Sequence, residues 1–217
     1  MKKYTTALFD LDGTLVDSGI GVTNSVKYAL EKFGIIANDR ESLFKFIGPP
    51  LTVSFSSFCG FDEEKTTLAI KYYREYYKDK GIFECTLYDG VVELLEKLKK
   101  RGYKIGLATS KPDIFAHRVL ENKEIYKYFD FFASASADEK TRASKEAVIE
   151  YALEICPERN REKIIMIGDR HFDINGAKAY GLPSVGVLYG YGSREELATA
   201  GADYIIDTPS DILNILQ

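Results

Sequence analysis

From Gly81 onward, short apolar runs alternate with segments in which apolar residues recur every three or four positions. The short runs are typical of buried strands, and the longer period is typical of helices with one buried face. Helices of this length between strands predict right-handed crossovers and a mostly parallel sheet covered on both faces. The predicted fold class is therefore α/β, doubly wound and Rossmann-like. Its strands are an apolar run at Ala7–Phe9 and the stretches "YKIGLATS", "FFASAS", "KIIMIGD", "SVGVLYG" and "DYIID".

Between the first strand and this alternating region, the hydrophobic pattern is helical throughout. Apolar residues such as Val22 and Val26 share one helix face, and glycine or proline interrupts each later helical run. We therefore predict an inserted all-helical cap at residues 19–81. The α/β core is predicted to comprise residues 1–18 and 82–217.

Two features of this insertion carry predictions of their own. Asp62 is expected to cap its last long helix. The tyrosines of that helix are interpreted as packing between helices rather than as a ligand cage; they are Tyr72, Tyr73, Tyr76 and Tyr77.

The composition indicates a globular protein and narrows the function classes. With 217 residues, 45% of them hydrophobic, the chain can bury a full core. The net charge of −4 and the lack of a Lys/Arg block argue against a nucleic-acid polymer or an anionic membrane as partner. The opening residues lack an apolar signal core, so a cytoplasmic location is expected. Cys59, Cys85 and Cys156 lack metal-ligand spacing and are expected to be reduced core residues.

Two acids directly follow the first predicted strand. Asp10 and Asp12 are separated by one residue, so both side chains point to the same side of an extended chain. Two carboxylates this close raise the pKa of one of them unless a cation or a proton is shared between them. A plain turn at Asp12-Gly13 is the alternative, and this stretch alone leaves both interpretations open.

Polar residues also follow two other predicted strands. Thr109 and Ser110 follow one, and Asp169 follows another, with Asp173 four residues later. Ligands of open parallel sheets bind at the carboxyl ends of the strands, so these side chains are expected at one edge. Because proline favours the first position of a helix, Pro112 predicts a helix N-terminus suited to a phosphate. A Ser110 helix cap without a ligand is the alternative.

An oxygen-rich cluster at this edge suits Mg²⁺, which would also offset the repulsion at Asp10. Considered separately, Asp169 and Asp173 are each equally consistent with a helix cap or a loop acid. His171 has no second His or Cys partner nearby and is interpreted as a solvated loop residue rather than a ligand.

A lysine completes the set of candidate residues. Lys145 is predicted in the first turn of a helix, where its charge opposes the helix dipole, which favours a nearby anion. Lys140 and Arg142 are alternatives for this role. Another interpretation is that Lys145 is a flexible surface lysine without a functional role.

Four motifs, "FDLDGT", "ATSKP", Lys145 and "IGDRHFDINGA", resemble those of the haloacid dehalogenase-like hydrolase superfamily and occur in the same order. The resemblance spans Phe9 to Ala177, and the helical insertion resembles the small cap of that superfamily. The stretches "KYALEKFGI", "FIGPP" and "GVLYGYGS" are most similar to the phosphoglycolate phosphatase and 5′-nucleotidase-like branch. The lysine motif lacks the proline that often follows it, so Lys145 is chosen by helix position.

The resemblance implies a role for each candidate residue. Asp10 would be the nucleophile that forms an aspartyl-phosphate, and Asp12 would be the general acid and then the general base. Mg²⁺ would be bound by the Asp10 carboxylate, the Asp12 backbone carbonyl and Asp169, with Asp173 orienting them from behind. Phosphoryl oxygens would be held by Thr109, Lys145 and the backbone amides of Gly13 and Ser110.

The implied function is Mg²⁺-dependent hydrolysis of a small phosphorylated metabolite. The superfamily's dehalogenases lack the second acid, and its ion-pumping ATPases carry threonine there, so Asp12 favours phosphate monoester chemistry. Sugar-phosphate mutases typically place a histidine in the first cap helix, and residues 21–33 contain none. A mutase therefore remains the alternative, as does a phosphate-ligand binding module without turnover. The sequence predicts neither the physiological substrate nor the oligomeric state.

The cap is expected to act as a lid that selects small esters. The insertion enters and leaves beside the predicted active-site edge through segments 17–19 and 81–82, which we interpret as hinges. The Gly48-Pro49-Pro50 loop is the predicted tip that reaches toward the substrate.

Overall fold

The computed structural model describes residues 3–136 and 141–216. Within these ranges the strands are β1 (Thr6–Phe9), β2 (Val16–Asp17), β3 (Thr86–Leu87), β4 (Lys104–Pro112), β5 (Phe131–Ala135), β6 (Ile164–Gly168), β7 (Ser184–Val187) and β8 (Tyr204–Ile206). The α-helices are α1 (Gly19–Glu31), α2 (Leu51–Cys59), α3 (Glu63–Tyr77), α4 (Val91–Lys100), α5 (Asp113–Asn122), α6 (Lys145–Ile155), α7 (His171–Ala179), α8 (Arg194–Ala200) and α9 (Ile212–Ile215).

Six parallel strands form the central sheet, in the order β5-β4-β1-β6-β7-β8. The predicted α/β class and parallel sheet are confirmed. Phe9, the last residue of β1, lies in register with Leu107 of β4 and Ile167 of β6. The carboxyl ends of these three neighbouring strands therefore meet at one edge, and this edge carries the candidate residues.

Helices cover both faces of the sheet, so its apolar strands are buried on each side. One core cluster includes Leu94 and Leu98 of α4 and extends into the inserted helices. The other includes Val148 and Ile149 of α6 and Ala177 of α7. Two-sided burial explains why the strands appear as continuous apolar runs rather than as alternating patterns.

The segment predicted as the cap contains α1, α2, α3 and a 3₁₀ turn at Glu41–Phe46. Asp62 caps α3 as predicted, because its Oδ1 accepts a hydrogen bond from the amide of Lys65 at 2.8 Å. None of the helices in the described ranges combines the length and the apolar surface needed to cross a membrane.

A two-stranded antiparallel ribbon joins the helical segment to the core. Strand β2 pairs with β3, with Val16 opposite Leu87 and Asp17 opposite Thr86. Beyond it, a Cβ atom placed on Gly21 would lie 1.9 Å from the carbonyl oxygen of Gly81. The chain therefore enters and leaves the helical segment through two strands in contact. Strands of two residues are too short to produce a hydrophobic period, so the sequence analysis missed them.

The helix after β4 begins one residue later than predicted. The strand continues to Pro112, which pairs with Ala135, and α5 begins only at Asp113. Pro112 therefore occupies the cap position rather than the first helical position, and Ser110 caps no helix. The residue before a proline disfavours helical dihedral angles, so Lys111 stays extended and Thr109 and Ser110 lie in the strand end.

Candidate active site

Three buried carboxylates converge at the edge formed by β1 and β6. Asp10 follows β1, Asp169 follows β6, and Asp173 lies in the first turn of α7. One oxygen from each lies within 4.8 Å of the others. The exposed fractions of these residues are 5%, 0% and 1% respectively, so solvent screens their repulsion very little.

Lys145 lies among these acids and compensates part of their charge. Its Nζ is 2.8 Å from Oδ1 of Asp10, 2.8 Å from Oδ1 of Asp173, and donates to the carbonyl oxygen of Ala108 at 2.9 Å. Burial alone would lower the pKa of Lys145, but the carboxylates of Asp10 and Asp173 raise it above the ordinary value. The lysine is therefore charged, and its predicted position in the first turn of a helix is confirmed, since α6 begins at Lys145.

One cation does not balance three carboxylates. Burial raises the pKa of Asp10 to about 6, against the opposing effect of Lys145. Burial, followed by the charges of Asp173 and Asp10, raises the pKa of Asp169 well above its ordinary value. Oδ1 of Asp169 is buried and has no hydrogen-bond partner among the residues that the structure describes. A buried, electron-rich oxygen set with an unused carboxylate oxygen fits a hard divalent cation such as Mg²⁺.

Glycines allow the backbone to close around Asp169. A Cβ atom on Gly13, whose φ is +85°, would lie 2.1 Å from Oδ2 of Asp169, and one on Gly190 would lie 2.4 Å from its Cβ. The Gly13 amide donates to the carbonyl of Val16 at 2.8 Å, so the predicted phosphate donor at Gly13 is already engaged in this structure. Gly13 is required here for close approach, and Tyr191 supplies an amide to Oδ2 of Asp169 at 2.8 Å.

The end of β4 supplies hydroxyl groups to the same cleft. Thr109 and Ser110 line the cleft together with Asp10 and Asp12. Thr109 is 1% exposed, and its Oγ1 accepts from the amide of Lys111 at 3.2 Å. The structure thus brings Thr109 and Ser110, two of the four predicted phosphate-binding residues, beside the two acids.

Lys111 belongs to this site and was not predicted from the sequence. Its Nζ lies 2.6 Å from Oδ2 of Asp12, and the two side chains are 6% and 15% exposed. The ammonium group also lies 5.1 Å from the ring centroid of Tyr77. The sequence shows a basic residue in the polar run at the end of this strand. Its contact with Asp12 depends on the irregular register at the end of β4, which the sequence does not reveal.

Residues of the helical segment form the opposite wall of the cleft. Tyr73, Arg74 and Tyr77 of α3 line it, as does the chain at residues 46–51. Tyr73 and Tyr77 also belong to the buried core cluster, and Tyr77 packs against Phe115 of α5, so the interpretation as helix packing holds for them although they line the cleft as well. It is also confirmed for Tyr72, which packs against Phe33, and for Tyr76, which packs against Tyr28.

The predicted tip loop, Gly48-Pro49-Pro50, lines this cleft. The cleft is open to solvent at its mouth. It is bounded by the acids and hydroxyls of the sheet edge on one side and by aromatic and apolar groups on the other.

Two remaining predictions differ from the structure or lie outside it. His171 is the first residue of α7 rather than a loop residue, and its Nδ1 lies 2.7 Å from Oε1 of Glu196. Lys140 lies outside the described residues. Arg142, the other alternative to Lys145, donates to the carbonyl of Ser134 at 3.1 Å.

The family model described as haloacid dehalogenase-like hydrolase matches residues 7–187. The chain belongs to this family. This confirms the resemblance inferred from the four motifs, and the matched range contains every candidate residue described above.

Three proteins illustrate the relationship of this family member to others. A 5′-nucleotidase of Pseudomonas aeruginosa is 40% identical over 90% of this chain and 87% of its own length. A crystal structure of a predicted phosphatase from Clostridium acetobutylicum is 49% identical, with a TM-score of 0.92 over 97% of this chain and 99% of that one. The tyrosine-protein kinase PtkA of Mycobacterium tuberculosis is 35% identical over 87% of this chain and 63% of its own length.

Proposed function

We propose that this protein is a Mg²⁺-dependent phosphatase that hydrolyses small phosphate monoesters through an aspartyl-phosphate intermediate. The observation that carries the proposal is the position of Asp10. This carboxylate lies at the end of β1, in contact with Lys145, within a cluster of acids, and on a cleft that also contains Asp12 and Thr109. Membership of the hydrolase family and the name of the phosphatase structure from Clostridium support the same reaction.

In the first step, an Asp10 carboxylate oxygen forms a bond to phosphorus as the bond from phosphorus to the ester oxygen breaks. Asp12 donates a proton to the departing oxygen, which leaves as an alcohol. In the second step, Asp12 accepts a proton from water while the water oxygen attacks phosphorus. The Asp10–phosphate bond breaks, and inorganic phosphate and the original carboxylate are regenerated.

The surrounding groups stabilise charge on the phosphoryl oxygens. Thr109 and Ser110 lie at the end of β4, and Lys145 reaches Asp10 from the start of α6, so the groups that would hold those oxygens are in position before the substrate arrives. Asp10 and Asp169, with the Asp12 backbone carbonyl, would hold Mg²⁺, and Asp173 would orient this set from α7. When bound, the ion supplies positive charge that offsets the charge of the transferring phosphoryl group.

The helical segment forms a cap that receives the leaving group. Its division from the core at residues 19–81 is part of this proposal and is supported by the ribbon of β2 and β3. Tyr73, Tyr77 and the Gly48-Pro49-Pro50 loop face the acids across the cleft. A leaving group must fit between these walls, so small esters are the expected substrates. The 5′-nucleotidase name of one relative makes nucleoside monophosphates the first compounds to test.

The test is release of inorganic phosphate from a panel of monoesters with Mg²⁺, using Asp10→Asn as the control. The panel contains nucleoside monophosphates, phosphoglycolate and an aryl phosphate. Trapping of an acid-stable, hydroxylamine-sensitive phosphoprotein in the wild type, and its absence in Asp10→Asn, would support the covalent intermediate. Because one relative is named a kinase, ATP is included, and stable phosphate transfer to tyrosine with no release from any monoester would contradict the proposal.

A further inference from the structure

Arg170 connects the core to the cap at the rim of the cleft. Its Nε donates to Oε1 of Glu196 on α8 at 2.8 Å, and its Nη1 donates to the main-chain carbonyl of Ile47 at 2.8 Å. The side chain is 15% exposed. One guanidinium group therefore joins a core helix to the residue immediately before the Gly48-Pro49-Pro50 loop.

The loop also packs on the stem of this arginine. Gly48 has a φ of +105°, and a Cβ atom placed on it would lie 3.5 Å from Cγ and 3.7 Å from Nη1 of Arg170. Ile47 is 2% exposed, so its hydrogen bond with Arg170 is partly shielded from water. The contact thus combines a charge-assisted hydrogen bond with close packing against the loop backbone.

Glu196 holds the guanidinium in one orientation. Its Oε1 accepts from Nε of Arg170 and also from the backbone amide of His171 at 2.9 Å. A carboxylate fixed by a backbone donor restricts the arginine more than a free surface acid would. Arg170 follows Asp169 directly, so the residue that holds the cap loop moves with the strand end that carries a predicted metal ligand.

We propose that Arg170 is a positioning residue that fixes the Gly48-Pro49-Pro50 loop over the cleft and thereby sets how tightly the leaving group is held. The inference rests on the proposed function, because it assumes that esters are cleaved in this cleft. Arg170 acts through the position of Ile47 and Gly48 and does not belong to the lining of the cleft. Its contribution therefore appears in the binding of the ester rather than in the binding of phosphate.

The test compares Arg170→Met with a matched control, Arg194→Met. Arg194 lies on the same helix as Glu196 and pairs with Asp207 at 3.5 Å, but both side chains are more than half exposed. Three quantities are measured for each protein: hydrogen exchange of residues 43–51, KM and kcat for the best monoester of the panel, and the inhibition constant of inorganic phosphate. Exchange does not require activity, so it tests the loop contact even if no substrate is found.

For Arg170→Met we expect faster hydrogen exchange in residues 43–51 and an increase in KM of about tenfold. The inhibition constant of inorganic phosphate should change by less than about twofold. Arg194→Met should match the wild type in all three. Arg170→Lys keeps the positive charge but loses the planar guanidinium group that donates to both Glu196 and Ile47. Its KM and its exchange rates should therefore lie between those of the wild type and of Arg170→Met.

Unchanged exchange in residues 43–51 of Arg170→Met would overturn the inference. A lower kcat at unchanged KM, together with weaker inhibition by phosphate, would also overturn it, since Arg170 would then act through Asp169 rather than through the cap. If the wild type hydrolyses no ester while exchange responds as expected, the proposed function fails and the loop contact stands.

Discussion

The two walls of the cleft are built in different ways. On the core side, Asp10, Asp169 and Lys145 are fixed by strand ends and a helix start, are almost fully buried, and contact one another directly. On the cap side, Tyr73, Tyr77 and the Gly48-Pro49-Pro50 loop come from the inserted helical segment, which is joined to the core by one ribbon, by hydrogen bonds and by a shared apolar cluster. Under the proposed function, we expect the core wall to carry out the reaction and the cap wall to select among leaving groups.

Asp10→Asn is expected to cause the largest loss of activity of all the substitutions on the core side of the cleft. An amide is a very poor nucleophile, so phosphate release should fall to below a few per cent of the wild-type kcat on every ester. The measurement is steady-state turnover across the panel. Substantial activity on any ester would show that Asp10 is not the nucleophile.

Removal of the metal should act on all substrates equally. An oxygen-ligand site for Mg²⁺ releases its ion to a chelator, so excess EDTA should abolish turnover and added Mg²⁺ should restore it. The control is Asp169→Asn, which should bind Mg²⁺ more weakly in a calorimetric titration. Full activity in excess chelator would contradict the metal assignment.

Asp12→Asn should slow both proton-transfer steps. General acid–base groups commonly contribute about 10² to 10⁴ in rate, so kcat should fall within that range on alkyl esters. An aryl phosphate has a better leaving group and needs less protonation, so its phosphorylation step should be less affected in a rapid-mixing experiment. An equal loss in that step for both ester types would argue against a general acid at Asp12.

Lys145→Met tests the electrostatic balance of the core wall through stability. Loss of one partner of a buried ion pair commonly costs about 3–5 kcal/mol, and here Asp10 and Asp173 would each lose an ion pair of 2.8 Å. The free energy of unfolding in urea should therefore fall for the metal-free protein. Addition of Mg²⁺ should restore part of it, and a variant as stable as the wild type without metal would contradict this picture.

The smallest expected effect comes from the cap wall, with Gly48→Ala. Forcing alanine to a φ of +105° costs about 1 kcal/mol and displaces the loop. The ranking of esters by kcat/KM should change, while hydrolysis of an aryl phosphate changes little. Gly34→Ala is the matched control, because Gly34 also has a positive φ but nothing within 4 Å of its Cβ position. A proportional loss on all esters would show that the loop does not select substrates.

The features that could be predicted from the sequence are those set by residues close together along the chain. The six parallel strands and the start of α6 at Lys145 follow from hydrophobic period and helix capping, which are local properties. The pairing of Lys111 with Asp12 joins residues 99 positions apart and depends on a bulge in β4, so no local pattern contains it. The same holds for Tyr73 and Tyr77, since a helical period identifies a buried face but not what the face is buried against.

The ribbon of β2 and β3 holds the two ends of the long insertion together. Asp17 and Thr86 are direct cross-strand partners, so the ends of the intervening chain are held side by side by the core itself. The entropy lost on closing a loop grows only slowly with its length, and here the closure is made once, by the pairing of two short strands. The length of the segment between these two residues can therefore change at only a small cost in the closure entropy of the sheet.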